Sequence, residues 1–490
     1  MMLQVLTKAS FRRQVLCLKR LQSTVGEAST AQLRTSNSLK KPQFDFKYYN
    51  ENIDLFNDIC EKRNTKNTLG DDFSELFSNY SNLKKELLDI KQDQKKLQKE
   101  LKDIKILQKK DPSNSAVHKD KEAKLFEDLS KFKPLIKKNE DKLIELEDEL
   151  TIRADGLPNL IDPSVKSKQT LLGYINPTEE LTNSKEEDFP LIPIETLDHK
   201  DIMERLGLVD FQLATKISGR GWYYLIGDGA LLEQALVQYA LSKARQNGFK
   251  MVIPPSIVKT EITNACGFKP RDTNNERQVY ELKHDNLCLT GTAEISLAAL
   301  HSNDEIKIKD LPMNYVGVSR SYRAEAGAAG RDTRGLYRVH EFTKVELFSW
   351  TENNVEVSNK HFEKIVDFQI DFIKSLGLTA RILKMPYDDL GAPAYQKIDI
   401  EALMPGKGSW GEVSSTSNCL DYQSRRLTTK YRDSQDSKLK YVHTLNGTAC
   451  AVPRIIVAII ENNYDPKSDS IKIPDVLVPY MDGKTVISKE

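Results

Sequence analysis

SRSYRAEAGAAGRDTRGLYRVHEFTKVELF, Ser319 to Phe348, reads as two strand-like runs around a glycine- and arginine-rich centre. Met313 to Tyr322 and Leu336 to Trp350 mix branched and aromatic residues with polar ones, whereas Ala326 to Gly335 carries no bulky apolar side chain. This pattern predicts a hairpin with a long loop. Residues two apart on a strand point to one face, so Arg323 goes with Glu325, and His340 with Phe342, Lys344 and Glu346. Thr292 with Glu294 and Asn446 with Thr448 repeat the spacing. Together they predict a sheet with a polar face suited to binding, although any one such pair is also what an ordinary half-exposed sheet shows.

The chemistry of these segments is specific. Four carboxylates (Glu294, Glu325, Glu346, Glu412) accompany Arg323 and Arg454, a set able to hold an ammonium or Mg²⁺ and to neutralise phosphates. No Gly-x-x-x-x-Gly-Lys-Ser/Thr loop and no Gly-x-Gly-x-x-Gly after a strand occurs, which argues against a P-loop or Rossmann nucleotide site.

Working outward, helical stretches at Leu232 to Asn247, Val355 to Leu376 and Ala451 to Asn463 alternate with the β-rich runs. Upstream, residues 155–193 are rich in proline and lack periodicity, as in a linker. Before it, Leu83, Leu87, Ile90, Leu97, Leu101 and Ile104, then Leu125, Leu129, Phe132, Ile136, Leu143, Leu146 and Leu150, alternate at spacings of three and four once Gln94 and Asn139 each fill one seam position. Pro112, Ser113 and Asn114 separate the two blocks, so the economical reading is an antiparallel helical hairpin of about 30 residues per helix and roughly 45 to 50 Å. Lys91, Lys95, Lys99, Lys102 and Lys105 make its outer part basic and suited to phosphates. Read alone, the segment is equally a dimerisation coil with a solvated face.

The 72 basic and 71 acidic residues nearly cancel, so any nucleic-acid binding must come from a local surface. Six scattered cysteines without metal-ligand spacing indicate reduced thiols and no structural zinc. No run approaches the ~20 apolar residues of a membrane helix, so a soluble protein is expected. Lys8, Arg12, Arg13, Lys19 and Arg20, with no acid before Glu27, give residues 1–30 the pattern of a mitochondrial transit peptide; a disordered basic tail is the alternative.

Taken together, the quoted runs carry a resemblance. Ser319 to Phe348 resembles motif 2 of class II aminoacyl-tRNA synthetases, in its seryl version. LNGTACAVPRIIVAIIEN (Leu445 to Asn462) is similar to motif 3, and GFKMVIPPSIV (Gly248 to Val258) to motif 1. LTGTAEISL (Leu289 to Leu297) and GEVSSTSNCLDYQSRRL (Gly411 to Leu427) resemble the serine loop and the metal and ATP segment of the seryl family. The resemblance implies an α+β fold, with an antiparallel sheet of six or seven strands flanked by helices and an N-terminal coiled-coil arm. It further implies a homodimer, tRNA(Ser) and serine as partners, and ATP with Mg²⁺. The arm, residues 44–155, would hold the long variable stem of tRNA(Ser); residues 156–194 would be the linker and residues 195–490 the catalytic domain. With the presequence, it implies a serine–tRNA ligase of the mitochondrial matrix.

Residue by residue, Arg323 matches the arginine that bridges the serine carboxylate and the α-phosphate, and Arg454 the γ-phosphate arginine; these are the expected catalytic pair. Ala324, Glu325, Val339, Phe342, Val413 and Ser414 fall in the ATP site, with Phe342 as the ring under adenine. Glu412 and Ser415 match the Mg²⁺ ligands; being three apart, they require the strand to bend. Thr292, Ala293, Glu294, Glu346, Asn446 and Thr448 match the serine pocket, and Arg331 and Arg334 lie where the acceptor end of tRNA would arrive. His340 and His443 are expected to be structural. Ala324 replaces a frequent serine, Leu403 a frequent tryptophan, and lysines replace an arginine-rich arm tip. A non-enzymatic paralogue would be expected to lack Arg323, Arg454 or Thr292-x-Glu294. An enzyme loading a carrier protein would lack the arm, and prolyl or threonyl relatives need a domain after motif 3.

Overall fold

The computed structural model describes residues 39–110, 115–183, 193–269, 278–325 and 335–489. Among these residues eight strands form the central sheet: β1 (Thr170–Ile175), β2 (Lys250–Val252), β3 (Met313–Tyr322), β4 (Glu341–Thr351), β5 (Ala380–Lys384), β6 (Gln396–Met404), β7 (Ser409–Asn418) and β8 (His443–Ala451). Their order is β1-β5-β6-β7-β8-β4-β3-β2. Every neighbouring pair is antiparallel except β2 with β3.

Ten helices suffice to describe what surrounds it: α1 (Phe46–Glu51), α2 (Ile53–Lys62), α3 (Phe73–Lys110), α4 (Ser115–Gly156), α5 (His199–Arg205), α6 (Asp228–Gln246), α7 (Ala293–Ala298), α8 (Val355–Ser375), α9 (Tyr422–Leu427) and α10 (Val452–Asn463). Helices α6, α8 and α10 cover one face of the sheet, where Leu236, Phe362, Ile365 and Ile456 pack on Val345, Leu347, Ile400 and Leu445. Burying that apolar stripe on one side leaves Phe342, Lys344 and Glu346 of β4 on the other. The sheet therefore has an oily side and a chemical side.

Helices α3 and α4 form the hairpin, and Lys91–Glu140 (2.6 Å) and Lys105–Glu122 (3.6 Å) set its antiparallel register. Its helices are longer than the heptads indicate, at 38 and 42 residues, or about 55 to 65 Å. The first begins at Phe73 because Phe73, Leu76 and Tyr80 turn into a small separate core with Phe46, Tyr49, Phe56 and Leu150. The hairpin tip, 111–114, lies outside the described residues, as do 1–38 with the presequence.

That base is fixed to the rest of the chain by buried arginines. Arg63 donates to the carbonyls of Gly391, Leu160 and Ala394 (2.7 to 3.1 Å), and Arg426 pairs with Asp155 (2.9 Å). From Pro42 to Glu490 the chain is one unit.

Three further expectations are corrected. The stretch read as a linker contributes β1, hydrogen-bonded to β5 at the sheet edge. Among the described residues the sheet has eight strands rather than six or seven. Leu336 to His340 are not strand, because their backbone is engaged elsewhere: His340 N–H donates to Gly221 (3.0 Å) and its carbonyl accepts from Arg323 N–H (2.9 Å). Cys60, Cys266, Cys288, Cys419 and Cys450 are free and buried. No described helix is long and apolar enough to cross a membrane.

Candidate active site

The hairpin β3–β4, the β7 strand and the start of α10 converge on one pocket. Arg323, Glu325, Val339, Phe342, Glu412, Val413, Thr448 and Arg454 line it. These residues lie as much as 131 positions apart (454 minus 323), yet the sheet order places β4, β8 and β7 side by side.

Arg454 sits in the first turn of α10, where Pro453 lacks the N–H that would be orphaned there anyway. Its guanidinium donates to the Glu412 carbonyl (3.0 Å), pairs with the Glu412 carboxylate (3.2 Å) and lies 4.8 Å from the Tyr337 ring centre. Arg323 stands 5.2 Å from the centre of the Phe342 ring. Burial and the neighbouring Arg454 lower the Arg323 pKa, while Glu412, Glu325 and Glu346 oppose that; a guanidinium remains a cation throughout. Burial would raise the Glu412 carboxyl, but Arg454, Lys397, Arg323 and Lys344 together outweigh it and hold it below its usual range.

The strand does bend at Glu412. Ile400 faces Ser414 and Glu401 faces Glu412, so Val413 is an extra residue in β7. Such a bulge returns Glu412 and Ser415 to one face despite their odd spacing. Asp399, opposite Ser415 and hydrogen-bonded to it, is buried with Oδ1 lacking a partner. These oxygen-only donors suit a hard cation such as Mg²⁺. Ser414 faces away, its hydroxyl donating to the Thr448 carbonyl (2.6 Å).

Beside the pocket, and joined to it through Thr448, is a buried acidic cluster. Thr448 Oγ1 donates to Glu346 (3.4 Å), which pairs with Lys344 (2.7 Å). Glu294 Oε1 accepts from Gln423 (2.7 Å) and Asn446 (3.0 Å). Thr292 and Glu294 were expected on a strand, but Thr292 instead caps α7, its hydroxyl accepting from the Glu294 N–H (3.2 Å); a threonine ahead of an apolar run is a capping signal. Ala293 is fully buried, and Ala324 packs with its N–H on the Gln278 carbonyl (3.2 Å). Burial, then the charge of Glu346, raises Glu294 to about 7.

His340 Nδ1 lies 3.0 Å from the Arg323 carbonyl, to which it can only donate, and 3.0 Å from Tyr280 Oη, and His443 contacts Ser358 (3.2 Å), with burial pushing its pKa down to about 4. Both are tied to structural partners. On the arm, Lys95, Lys99 and Lys102 are exposed, whereas Lys91 and Lys105 share their charge with acids of α4. Arg331 and Arg334 lie outside the described residues.

Sequence reasoning passed over Gln369 of α8. Its amide donates to the carbonyls of Ser415 and Thr448 (both 3.0 Å) and accepts from Thr416 (2.5 Å), stapling β7 to β8 under the site. The signal was a polar residue in a buried helical row with Phe362, Ile365 and Phe372. Gln369→Leu should strand two carbonyls and a hydroxyl and cost about 2 to 4 kcal/mol. A urea midpoint equal to the parent's would refute that staple.

Residues 278–463 match the family model described as the tRNA synthetase class II core domain (G, H, P, S and T). Fold and site thus define a class II aminoacyl-tRNA synthetase core carrying a helical arm. The chain is 44% identical over 460 residues to the mitochondrial serine–tRNA ligase of Saccharomyces cerevisiae, covering 92% of this chain and 97% of that one. It is 37% identical over 441 residues to the serine–tRNA ligase of Treponema denticola, with 89% and 98% covered. The seryl-tRNA synthetase of Pyrococcus horikoshii, solved with ATP, superposes with a TM-score of 0.74 at 31% identity, covering 91% of this chain and all of that one. The chain belongs to the serine–tRNA ligase family.

Proposed function

We propose that this chain activates serine with ATP and transfers it to the 3′ end of tRNA(Ser) in the mitochondrial matrix, working as a homodimer. The observation that carries the chemistry is the adjacency of two sub-sites. Two guanidiniums, Arg323 and Arg454, face one pocket, and the carboxylates Glu346, bonded to the pocket residue Thr448, and Glu294 are buried beside it. Cations suit the phosphates and buried carboxylates suit an ammonium.

Activation needs no general base, since a serine carboxylate is already a nucleophile. Arg323 orients that carboxylate against the α-phosphate and takes up charge there, Arg454 holds the departing phosphates, and Phe342 with Val339 receives adenine. Glu412 and Ser415 would hold Mg²⁺, which supplies further charge stabilisation at the phosphates. Thr292, Asn446 and Thr448 complete a polar serine pocket, which disfavours alanine because buried groups would be left unpaired. Residues 44–155 would serve as the tRNA-holding domain through the exposed arm lysines, residues 195–490 as the catalytic domain, and residues 1–30 as the transit peptide. The basic segment 331–334 would meet the acceptor stem. The S. cerevisiae relative's mitochondrial assignment supports the compartment.

Acid-gel charging with labelled serine on mitochondrial RNA tests the reading. Serylated tRNA dependent on ATP is expected; activation without any charged tRNA would point to a different acceptor, such as a carrier protein.

Glu294 adds a pH signature. Raised from 4.5 to about 7, it holds roughly half a proton at pH 7 in the free protein. An ammonium beside it favours the carboxylate, so serine binding should release up to about half a proton and weaken as pH falls from about 8 to 6. The same shift means the folded chain holds the extra proton between 4.5 and about 7, so this group's contribution to stability falls as pH rises through that window. Calorimetry of serine binding in buffers of different ionisation enthalpy reads the proton directly. Buffer-independent heats would contradict it.

A further inference from the structure

Among the described residues, one buried polar node links four segments beside the pocket: the start of α5, α10, the turn at Gly406 and Lys407, and the chain at Leu336. Asp198 caps α5 by accepting from the N–H groups of Lys200 and Asp201, which places His199 at the helix start. His199 is 7% exposed and its partner Glu461, in α10, 2%. His199 Nδ1 lies 2.8 Å from Glu461 Oε1, and the other carboxylate oxygen accepts from the N–H groups of Gly406 (2.8 Å) and Lys407 (3.2 Å). A carboxylate on Nδ1 fixes the hydrogen there and leaves Nε2 a lone pair. Nε2 accepts the Leu336 N–H at 3.2 Å.

Leu336 is followed by Tyr337, and Tyr337 touches Arg454 twice: its carbonyl accepts from Nε (3.4 Å), and its ring centre lies 4.8 Å from the guanidinium carbon. Lys407, whose N–H is held by Glu461, puts Nζ 4.1 Å from the centre of the same ring. The node therefore grips the chain just before Tyr337 and also the turn that covers Tyr337. Gly335 has φ +78°, and a Cβ there would lie 2.2 Å from His199 Nε2. The approach of this backbone to the imidazole is so close that only glycine fits.

A buried acid and imidazole cost more to desolvate than an apolar pair of similar volume would, so packing alone is a poor account of them. We propose that His199, oriented by Glu461, is a positioning residue that sets Arg454 for the ATP phosphates through the Leu336 N–H and Tyr337. The inference rests on the reading of Arg454 given under the proposed function. His199 touches no reacting atom; it does not line the pocket.

Two substitutions separate the halves of the node. His199→Asn keeps an amide donor near the Nδ1 position, for Glu461, and loses the acceptor for Leu336. His199→Gln reaches the Nε2 position and keeps that acceptor while losing the donor to Glu461. In serine-dependent ATP–pyrophosphate exchange on the full chain, His199→Asn should raise the ATP KM about tenfold and leave the serine KM within about twofold, and His199→Gln should restore most of the ATP KM. Arg454→Ala is run alongside. If it leaves the ATP KM unchanged, the reading of Arg454 fails and takes this one with it. If it raises the ATP KM while His199→Asn changes only the melting temperature, the positioning role alone is overturned. Hydrogen exchange on the unaltered chain needs no variant to fold: the Leu336 amide, which is in neither helix nor strand, should be protected, and rapid exchange there would also overturn the inference.

Discussion

Arg323→Ala is expected to slow serine-dependent ATP–pyrophosphate exchange by roughly a thousandfold or more while leaving the fold intact. Removing one preorganised donor to developing charge costs about 10²- to 10³-fold, and Arg323 is proposed to serve two anions, a carboxylate and a phosphate. Its loss also leaves Glu412, Glu325 and Glu346, all of which interact with it, facing ATP with one fewer cation. Arg323→Lys should recover little, since an ammonium has no planar fork to bridge two groups. Stability should barely change, because among the described residues the side chain's hydrogen bond is a long one, 3.5 Å to the Gly291 carbonyl. Exchange within tenfold of the parent, in a variant with an unchanged melting curve, would remove Arg323 from the chemistry.

The second large effect is expected from shortening the arm. Lys91 and Glu140 touch across the hairpin at 2.6 Å, so the helices can be rejoined there by a short turn, deleting 92–139. The base retains its own core of Phe73, Leu76, Tyr80, Leu150 and Ala154, which the deletion does not reach. Exchange should stay within about twofold. Charging of tRNA should lose roughly 10²-fold or more in kcat/KM, and the salt dependence of RNA binding should flatten, since each lost phosphate contact reduces the slope by about 0.7 to 0.9. Unchanged charging would deny the arm its RNA. Loss of exchange as well would deny the separation of arm and active site.

The parts of this architecture that were legible in the sequence are those where local pattern and tertiary burial coincide. The β3–β4 hairpin shows as two runs around a glycine-rich centre, and α8 and α10 as amphipathic rows ending within a residue or so of their bounds. The resemblance, by making Glu412 and Ser415 joint ligands at an odd spacing, implied a bend at Glu412, and the bulge at Val413 supplies it. Where local pattern was ambiguous, tertiary context decided. Thr292-Ala293-Glu294 alternates like a strand but also caps like a helix, and packing of Ile295 and Leu297 selects the helix. Thr170 to Ile175 is short and lies among prolines and lysines, so its pairing with β5 could not be seen before the partner was in place. Residues that act across long separations, such as His199 with Glu461, 262 positions apart, leave no local signature.

The most direct test of the account is ATP–pyrophosphate exchange by residues 31–490, with Mg²⁺ present and serine, threonine, alanine and glycine offered singly. Exchange with serine, and at least about a hundredfold less with each of the others, is the predicted result. A folded protein that exchanges with none of them, or as readily with alanine as with serine, would contradict the assignment of the pocket and the acidic cluster beside it.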